Sequence, residues 1–254
     1  MARRRFFVDR IHDGRAELTG DQAHHLRRVL RVEAGRRYEI SDTERVYLAE
    51  VSLSTDKRVV FDIVEELPAV EPPVSLDLYL ALIKFDRLEL AIEKATELGV
   101  RRIVPVIASR SEKGLERAAA KRAERWRRIA REAGQQARRL RPPEIGCAVR
   151  FRSALEAEAG KRFILDERAG APPLLESLPG QAAGVAEIAL LVGPEGGWTD
   201  GERREALAAG WAPVSLGSHV LRAETAAIAA TAVLSAYWDA AGGGRRGAAQ
   251  RPAS

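Results

Sequence analysis

The chain has 254 residues, of which 46% are hydrophobic and 30% are charged, a composition typical of a soluble globular protein and not of a disordered one. Its single cysteine, Cys147, excludes an internal disulfide framework and a cysteine-based zinc cluster, and this usage fits a reducing cytoplasm. The formal net charge of +5 favours a polyanionic partner. We expect no bound metal and no membrane span, because the apolar segment at residues 226–238 is shorter than the roughly 20 residues that a span needs.

Residues 5–66 indicate a small β-rich unit. Alternating apolar and polar residues predict strands over residues 5–8, 37–41, 46–52 and 58–65. A helix is predicted over residues 21–30, with Thr19 or Asp21 as its N-cap and with Leu26, Val29 and Leu30 on one buried face. Candidate RNA contacts lie at the start of the chain and around this helix: Arg3, Arg4, Arg5, Arg27, Arg28 and Arg31. A plain solvated surface is the alternative interpretation of these arginines.

Three prolines within residues 68–73 mark a domain boundary near residue 70, because proline can continue neither a helix nor a central strand. Beyond it, apolar runs that predict strands cover residues 74–83, 102–108, 161–165, 187–192 and 212–216. Helical patterns cover residues 86–98, 118–139, 200–209 and 224–238. This alternation predicts a mostly parallel sheet covered by helices on both faces. We therefore predict domains over residues 1–70 and 74–240, followed by a disordered tail over residues 241–254.

Basic residues are concentrated between Arg101 and Arg141, a stretch that holds fourteen Lys or Arg and four Glu. Such a local excess of positive charge is typical of a surface that binds RNA phosphates. A solvated face of a helix would have a similar composition, and both interpretations stay open at this point.

Two loops rich in small residues follow the predicted strands at residues 187–192 and 212–216. Their sequences are VGPEGGW over residues 192–198 and LGSHVLRAETA over residues 216–226. Because the carboxyl ends of neighbouring parallel strands meet at one edge of a sheet, the loops predict a ligand site there, with a nucleotide-like ligand as the first hypothesis. The phosphate-loop, dinucleotide-binding, nucleophile-elbow and zinc-helix motifs are absent from the sequence, which disfavours ATP hydrolysis, dinucleotide redox chemistry and serine hydrolysis.

Taken together, the two loops resemble those of the RsmE-type 16S ribosomal RNA uridine-N3 methyltransferases of the SPOUT class. Residues 5–8 (RFFV) and 24–32 (HHLRRVLRV) are similar to the PUA-like amino-terminal domain of that family. Residues 93–100 (EKATELGV) and 132–138 (EAGQQAR) resemble its next two blocks. The resemblance covers nearly all of the chain except the tail, and the two late motifs are its most specific part.

This resemblance implies an α/β protein in which a SPOUT-type domain, with a trefoil-knotted parallel sheet, follows a small β-rich PUA-like domain. It also implies a cytoplasmic homodimer that acts on 16S ribosomal RNA in the small ribosomal subunit. The cofactor would be S-adenosylmethionine, bent within the knot at a site that the partner subunit completes. The cofactor-binding residues implied are Leu165, Val192, Gly193, Glu195, Gly196, Gly197, Leu216, Gly217, Val220, Leu221, Arg222 and Thr225.

Methylation of uridine N3 requires the loss of the proton on that nitrogen, because its lone pair is otherwise engaged. A cation beside the uracil carbonyls would stabilise the deprotonated base; Arg222 is the first candidate and Arg138, which could also contact RNA, is the second. Glu195 and Glu224 are candidate bases, but either could instead orient the loop or pair with Arg222, and water or hydroxide could take the proton. Two alternative functions stay open: a SPOUT methyltransferase with another RNA target, and a catalytically idle RNA-binding ribosome-assembly factor.

Overall fold

The computed structural model describes residues 4–168, 170–179 and 187–242. These residues form two compact units, one made of the chain up to Glu71 together with Arg131–Pro142, and the other of Pro72–Ala130 with the chain from Pro143 onward. Arg3 and residues 243–254 of the predicted tail lie outside the described residues, whereas Ala241 and Gly242 still belong to the last helix. None of the helices in the described ranges is long and apolar enough to cross a membrane.

The first unit is built on a six-stranded sheet. Its strands are Arg5–Phe7 (β1), Ile11–His12 (β2), Arg15–Thr19 (β3), Arg37–Ser41 (β4), Val46–Ser54 (β5) and Arg58–Leu67 (β6). Their order is β1-β4-β5-β6-β3-β2, with β1 parallel to β4 and all other pairs antiparallel. The β2–β3 hairpin was not predicted, although its Asp13-Gly14 turn, with φ of 48° and 73°, is a common hairpin signal.

The helix of the first unit, α1 (Gly20–Arg28), ends two residues before its predicted end. Thr19 is the N-cap residue, but its side chain makes no capping hydrogen bond. Leu26 is buried as predicted, whereas the prediction for Val29 was wrong, since this side chain is 62% exposed. The reason is local: Val29 is the C-cap residue, so it lies past the last helical turn and off the buried face.

The second unit is built on a seven-stranded sheet in which every pair of strands is parallel. Its strands are Ser75–Ala81 (β7), Arg102–Ile107 (β8), Glu144–Ile145 (β9), Val149–Arg150 (β10), Lys161–Leu165 (β11), Glu187–Val192 (β12) and Ala212–Val214 (β13). Their order is β10-β8-β7-β12-β11-β13, and β9 pairs with β8. The helices are Phe85–Glu97 (α2), Leu115–Gln136 (α3), Phe151–Ala154 (α4), Asp200–Ala208 (α5) and Ala223–Gly242 (α6), with a 3-10 turn at Leu174–Ser177. The last residues of α3, from Arg131, belong to the first unit. The predicted parallel sheet is confirmed.

Successive residues of the central strand β7 point to opposite faces of this sheet, and each face carries its own buried cluster. Leu78 lies in a cluster with residues of α2, α3 and α6, such as Leu88 and Leu234. Tyr79 lies in a second cluster that includes Phe151 of α4 and Ala206 of α5. Both faces are therefore covered, which explains why the strands are nearly continuous apolar runs.

Helix α5 begins directly after the first glycine-rich loop and is held by a capping box. The Thr199 hydroxyl accepts a hydrogen bond from the Glu202 backbone N–H, and Glu202 Oε2 accepts one from the Thr199 N–H at 2.8 Å. The other carboxylate oxygen of Glu202 accepts a hydrogen bond from the backbone N–H of Ser109 at 2.8 Å. Burial on its own raises the pKa of Glu202, but these hydrogen bonds outweigh it and lower the pKa below its ordinary value.

We predict that Glu202→Gln lowers the free energy of unfolding by about 1 kcal/mol at pH 7, because glutamine has one acceptor oxygen and leaves the backbone N–H of either Thr199 or Ser109 without its partner. Because the folded-state pKa is lowered, the carboxylate stabilises the fold above the ordinary glutamate pKa of 4.5, and this contribution is lost as the pH falls through the folded-state value. Urea unfolding at pH 7 and pH 3 should thus show a difference between variant and wild type that shrinks in acid. The control Glu158→Gln changes an exposed residue and should leave the free energy of unfolding unchanged. If Glu202→Gln lowered the free energy of unfolding equally at pH 7 and pH 3, the ionised carboxylate of Glu202 would not be the stabilising group.

Candidate cofactor site beside the glycine-rich loops

A cavity of about 230 Å³ opens at the carboxyl edge of the parallel sheet, where β11, β12 and β13 end. Three stretches of chain form its wall: the two residues after Leu165, the first glycine-rich loop, and the segment that leads from β13 into α6. Its lining residues are Leu165, Asp166, Glu167, Val192, Gly193, Pro194, Glu195, Gly196, Gly197, Val214, Ser215, Leu216, Gly217, His219, Val220, Leu221, Ala223 and Ala226.

Ten of the twelve residues that the sequence suggested for cofactor binding line this cavity. The other two, Arg222 and Thr225, are exposed and are not part of its wall. Sequence reasoning missed the lining carboxylates Asp166 and Glu167, and it assigned no role to His219. Asp166 and Glu167 directly follow β11, so the rule that ligands bind at the carboxyl ends of parallel strands could have found them.

The first loop has glycine where a side chain would collide with its neighbours. A Cβ atom on Gly193 would lie 3.0 Å from Cε2 and 3.1 Å from Nε1 of Trp198. Trp198 is fully buried, its Nε1 donates a hydrogen bond to the Leu165 carbonyl oxygen at 2.9 Å, and its ring packs on Phe151. At Gly197, φ is +66°, a conformation that favours glycine. The backbone itself therefore forms this wall of the cavity.

The second loop offers apolar side chains and free backbone donors. Val220 is 81% exposed although it is apolar, and Leu221 beside it is also exposed. Within the described ranges, the backbone N–H groups of these two residues donate no hydrogen bond. Gly217 has a φ of +109°, which lets the chain turn directly after β13.

The two candidate bases do not pair with Arg222. Instead, Nη1 of Arg87, on α2, lies 2.8 Å from Glu195 Oε1, and Nε of Arg87 lies 3.8 Å from Glu224 Oε1. The suggested pairing with Arg222 was therefore wrong, because α2 supplies the counterion from outside the two loops. The Arg222 side chain is exposed and, in the part of the chain that the structure describes, has no hydrogen bond or ion pair.

The other lining carboxylates also have arginine partners. Arg203, on α5, lies 2.9 Å from both Asp166 Oδ2 and Glu167 Oε1. Arg110, which follows β8, donates a hydrogen bond to the Gly196 carbonyl oxygen at 2.8 Å. Side chains from outside the loops thus hold two stretches of the cavity wall.

The candidate RNA contacts of the first unit divide into free and engaged arginines. Arg27 and Arg31 are exposed without a partner among the described residues, and Arg28 is exposed but pairs with Asp56 at 2.5 Å. Arg4 is half-buried. Arg5 is less available for such a contact, because its side chain is only 10% exposed and its guanidinium is engaged by a carboxylate.

The carboxylate that engages Arg5 belongs to Glu39, at 2.9 Å, and Arg5 Nη1 also donates a hydrogen bond to the Arg138 carbonyl oxygen at 2.6 Å. Arg138 lies in the same unit, with Nη1 3.8 Å from Glu39 and a φ of +54°. Its side chain is partly exposed, so it stays available to a ligand, unlike that of Arg5.

Much of the basic stretch between Arg101 and Arg141 is engaged within the protein. Arg122 and Arg125 both pair with Glu89, and burial together with the charge of Arg141 lowers the pKa of Arg139 to about 10. Its exposed basic residues without a partner in the described ranges include Arg117, Lys121 and Arg128, all on α3. Fewer basic side chains of this stretch are therefore free to bind phosphates than its net charge indicates.

A parallel α/β sheet with a glycine-lined cavity at its carboxyl edge, together with a separate β-rich unit, defines a two-domain α/β protein with a ligand site at the sheet edge. Residues 70–235 match the RNA methyltransferase domain family, and residues 18–64 match the RNA methyltransferase PUA domain. The chain belongs to this RNA methyltransferase family. The fold class and family expected from the two loops are both confirmed.

Similar proteins include the ribosomal RNA small subunit methyltransferase E of Synechocystis, 33% identical over 234 residues that cover 90% of this chain and 75% of the relative. The protein of the same name from Aquifex aeolicus is 33% identical over 209 residues, which cover 82% of this chain and 88% of the relative. Among solved structures, ribosomal RNA small subunit methyltransferase E from Neisseria gonorrhoeae, bound to S-adenosylmethionine, has a TM-score of 0.83 and 29% identity. That match covers 93% of this chain and 98% of the other.

The residues around the cavity fit S-adenosylmethionine. Apolar side chains such as Leu165, Leu216 and Val220 can flank a purine ring, and the free N–H groups of Val220 and Leu221 can donate to its ring nitrogens. At Gly193 the missing side chain makes room for the Trp198 ring, so the loop backbone itself can face the ligand as part of the cavity wall.

Proposed function

We propose that the protein transfers a methyl group from S-adenosylmethionine to N3 of a uridine in 16S ribosomal RNA. The observation that carries this proposal is the glycine-lined cavity with Arg222, exposed and without an ion-pair partner in the described ranges, directly beside the lining residues Leu221 and Ala223. The names of the relatives from Synechocystis and Aquifex aeolicus support the choice of RNA.

S-adenosylmethionine, when bound, supplies an electrophilic methyl group on a sulfonium. We assign its binding to the ten predicted residues that line the cavity, with Asp166, Glu167 and His219 as further wall residues. Thr225, which is exposed, contacts the cofactor in this proposal only if the partner subunit encloses that side of the site. The rate enhancement comes mainly from holding the methyl group in line with the uridine nitrogen.

Arg222 stabilises the negative charge that develops on the uracil carbonyls as the N3 proton leaves, and Arg138 is the second candidate for this role. Glu195 is less suited to accept the proton, because its Oε1 already accepts a hydrogen bond from the Arg87 guanidinium at 2.8 Å. Water or hydroxide therefore takes the proton in this scheme, and Glu195 orients the first loop.

A homodimer acting in the cytoplasm on the small ribosomal subunit completes the proposal. Val220 and Leu221 are exposed apolar side chains beside the cavity, and a second copy of the chain would cover them. The target uridine must be unpaired or flipped out, because base pairing hides its N3.

The deciding experiment is nuclease digestion and mass spectrometry of ribosomal RNA from a strain that lacks the gene. N3-methyluridine should disappear from 16S RNA and return with the wild-type gene but not with Arg222→Ala. Unchanged N3-methyluridine in the deletion strain would refute the assignment. Loss of a different modification, such as a tRNA 2′-O-methyl group, would identify another RNA target, and calorimetry without S-adenosylmethionine binding would support an idle RNA-binding factor.

We predict that replacing Arg27, Arg28 and Arg31 together with glutamine weakens RNA binding and reduces its salt dependence. Each arginine that no longer neutralises a phosphate should lower the slope of log K against log salt by about 0.7 to 0.9. Because Arg28 already pairs with Asp56, the expected change is closer to that of two arginines than of three. Fluorescence anisotropy with a 16S RNA fragment over a range of salt concentrations measures this slope.

The matched control replaces three arginines of the same unit that all have carboxylate partners. Arg36 pairs with Glu33, Arg37 with Glu50, and Arg58 with Glu17. This triple variant should keep most of the wild-type slope. If the slope of the Arg27, Arg28 and Arg31 variant is also unchanged, the RNA surface lies elsewhere.

A further inference from the structure

We infer that Arg87 is a positioning residue that sets both the shape and the charge of the cofactor cavity. The inference rests on the proposed function, since it concerns how this cavity receives S-adenosylmethionine. Arg87 is neither a lining residue nor part of the glycine-rich loops.

One guanidinium links two separate parts of the cavity wall. Arg87 lies in the first turn of α2, and its Nη1 donates a hydrogen bond to Glu195, near the middle of the first loop, at 2.8 Å. Its Nε faces Glu224, in the first turn of α6, at 3.8 Å. Because the second loop leads directly into α6, Arg87 joins the first loop to the end of the second.

Glu224 shows why a cation is needed at this position. Its side chain is 8% exposed, and Oε2 is buried without a hydrogen-bond partner in the described part of the chain. A buried carboxylate is strongly unfavourable unless a positive group compensates it. Arg87 supplies this charge, and the N-terminus of α6 adds the favourable end of a helix dipole.

Arg87 also neutralises a carboxylate that belongs to the cavity wall. Glu195 lines the cavity, and its charge would otherwise act on whatever binds there. S-adenosylmethionine carries a positive sulfonium, whereas its product, S-adenosylhomocysteine, has a neutral thioether at the same place. Removing Arg87 alone should therefore favour the cofactor over the product, and removing Glu195 alone should do the reverse.

Titration calorimetry with S-adenosylmethionine and S-adenosylhomocysteine tests this inference on the wild type, Arg87→Gln, Glu195→Gln and the double variant. Arg87→Gln should weaken product binding about tenfold and cofactor binding less, so that the ratio of the two affinities changes by about fivefold. Glu195→Gln should shift the ratio in the opposite direction. The double variant should return the ratio to the wild-type value. It removes one positive and one negative charge, so the net charge of residues 87, 195 and 224 stays the same.

Arg87→Lys keeps the charge and should preserve the ratio, although its affinities fall because lysine cannot reach both carboxylates with a planar fork. Arg152→Gln is the matched control: it removes an exposed arginine that makes two hydrogen bonds to Glu205 away from the cavity, and both affinities should stay unchanged.

If Arg87→Gln lowers the melting temperature but leaves both affinities and their ratio unchanged, Arg87 is only structural and the inference is wrong. If Arg87→Gln weakened the binding of S-adenosylmethionine and S-adenosylhomocysteine by the same factor, the inference that Arg87 sets the charge of the cavity would be wrong. A folded wild-type protein that binds neither ligand would refute the proposed function itself, which is a distinguishable result.

Discussion

Replacing Arg222 with alanine should lower the rate of methyl transfer by about 10²- to 10³-fold while S-adenosylmethionine affinity and melting temperature stay close to the wild-type values. The side chain is exposed and has no hydrogen-bond or ion-pair partner in the described ranges, so its removal breaks no polar interaction among them. It is also absent from the cavity wall, so cofactor binding should not depend on it. Its contribution is therefore expected only in the transition state, when charge develops on the uracil.

Single-turnover kinetics with 16S RNA, combined with calorimetry, separate these effects. Arg204→Ala is a suitable control, because Arg204 is an exposed arginine on α5 that likewise makes no side-chain hydrogen bond or ion pair in the described residues and does not line the cavity. This variant should keep the wild-type rate. A large loss of cofactor affinity in Arg222→Ala at an unchanged rate would show that Arg222 binds the cofactor instead.

The regular elements could be predicted wherever local patterning and burial agree. The strand Lys161–Leu165 and the strand Glu187–Val192 have the predicted bounds, because both are short apolar runs in the middle of a covered sheet. The end of α1 could not be placed, since Leu26 and Val29 have a helical spacing but the chain leaves the helix at Arg28. The sequence also did not predict that Arg131–Pro142 belong to the first unit, because the composition of the chain does not change at residue 131.

The cavity could be predicted to a large extent because its wall is local in sequence. Gly193, Gly197 and Gly217 stand in two short loops that follow apolar runs, and the parallel sheet brings the loops to one edge. The charges around it could not be predicted, because they come from distant elements. Arg87 and Glu195 are 108 positions apart, and nothing in the sequence of α2 distinguishes Arg87 from the other basic residues of the chain.

The cavity wall could be predicted and the charges around it could not, and this difference has a physical cause. Backbone geometry at a loop requires particular residue types, such as glycine, whose position can be recognised from neighbouring residues. An ion pair requires only that two opposite charges meet, and this chain has 41 basic and 36 acidic residues to choose from. Residues that bind through the backbone are therefore visible in the sequence, whereas residues that hold them in place require the structure.

The backbone part of the site gives the second large effect: Gly193→Ala should lower S-adenosylmethionine affinity more than tenfold and the free energy of unfolding by about 2 kcal/mol. The added methyl group would lie 3.0 Å from the Trp198 ring, and this ring cannot move freely because it is fully buried and hydrogen-bonded to the Leu165 carbonyl. The strain must therefore be taken up by the loop, which forms the cavity wall. Calorimetry and urea unfolding measure the two effects.

Two further variants make the prediction specific. Gly160→Ala adds a methyl group 3.5 Å from the nearest heavy atom, an ordinary contact, and should change neither quantity appreciably. Trp198→Leu removes the aromatic ring that the new methyl group would meet, so combining it with Gly193→Ala should restore part of the cofactor affinity, although the lost packing and the missing hydrogen bond to Leu165 keep the protein less stable. Additive losses in the double variant would show that Gly193 matters for a reason other than its contact with Trp198.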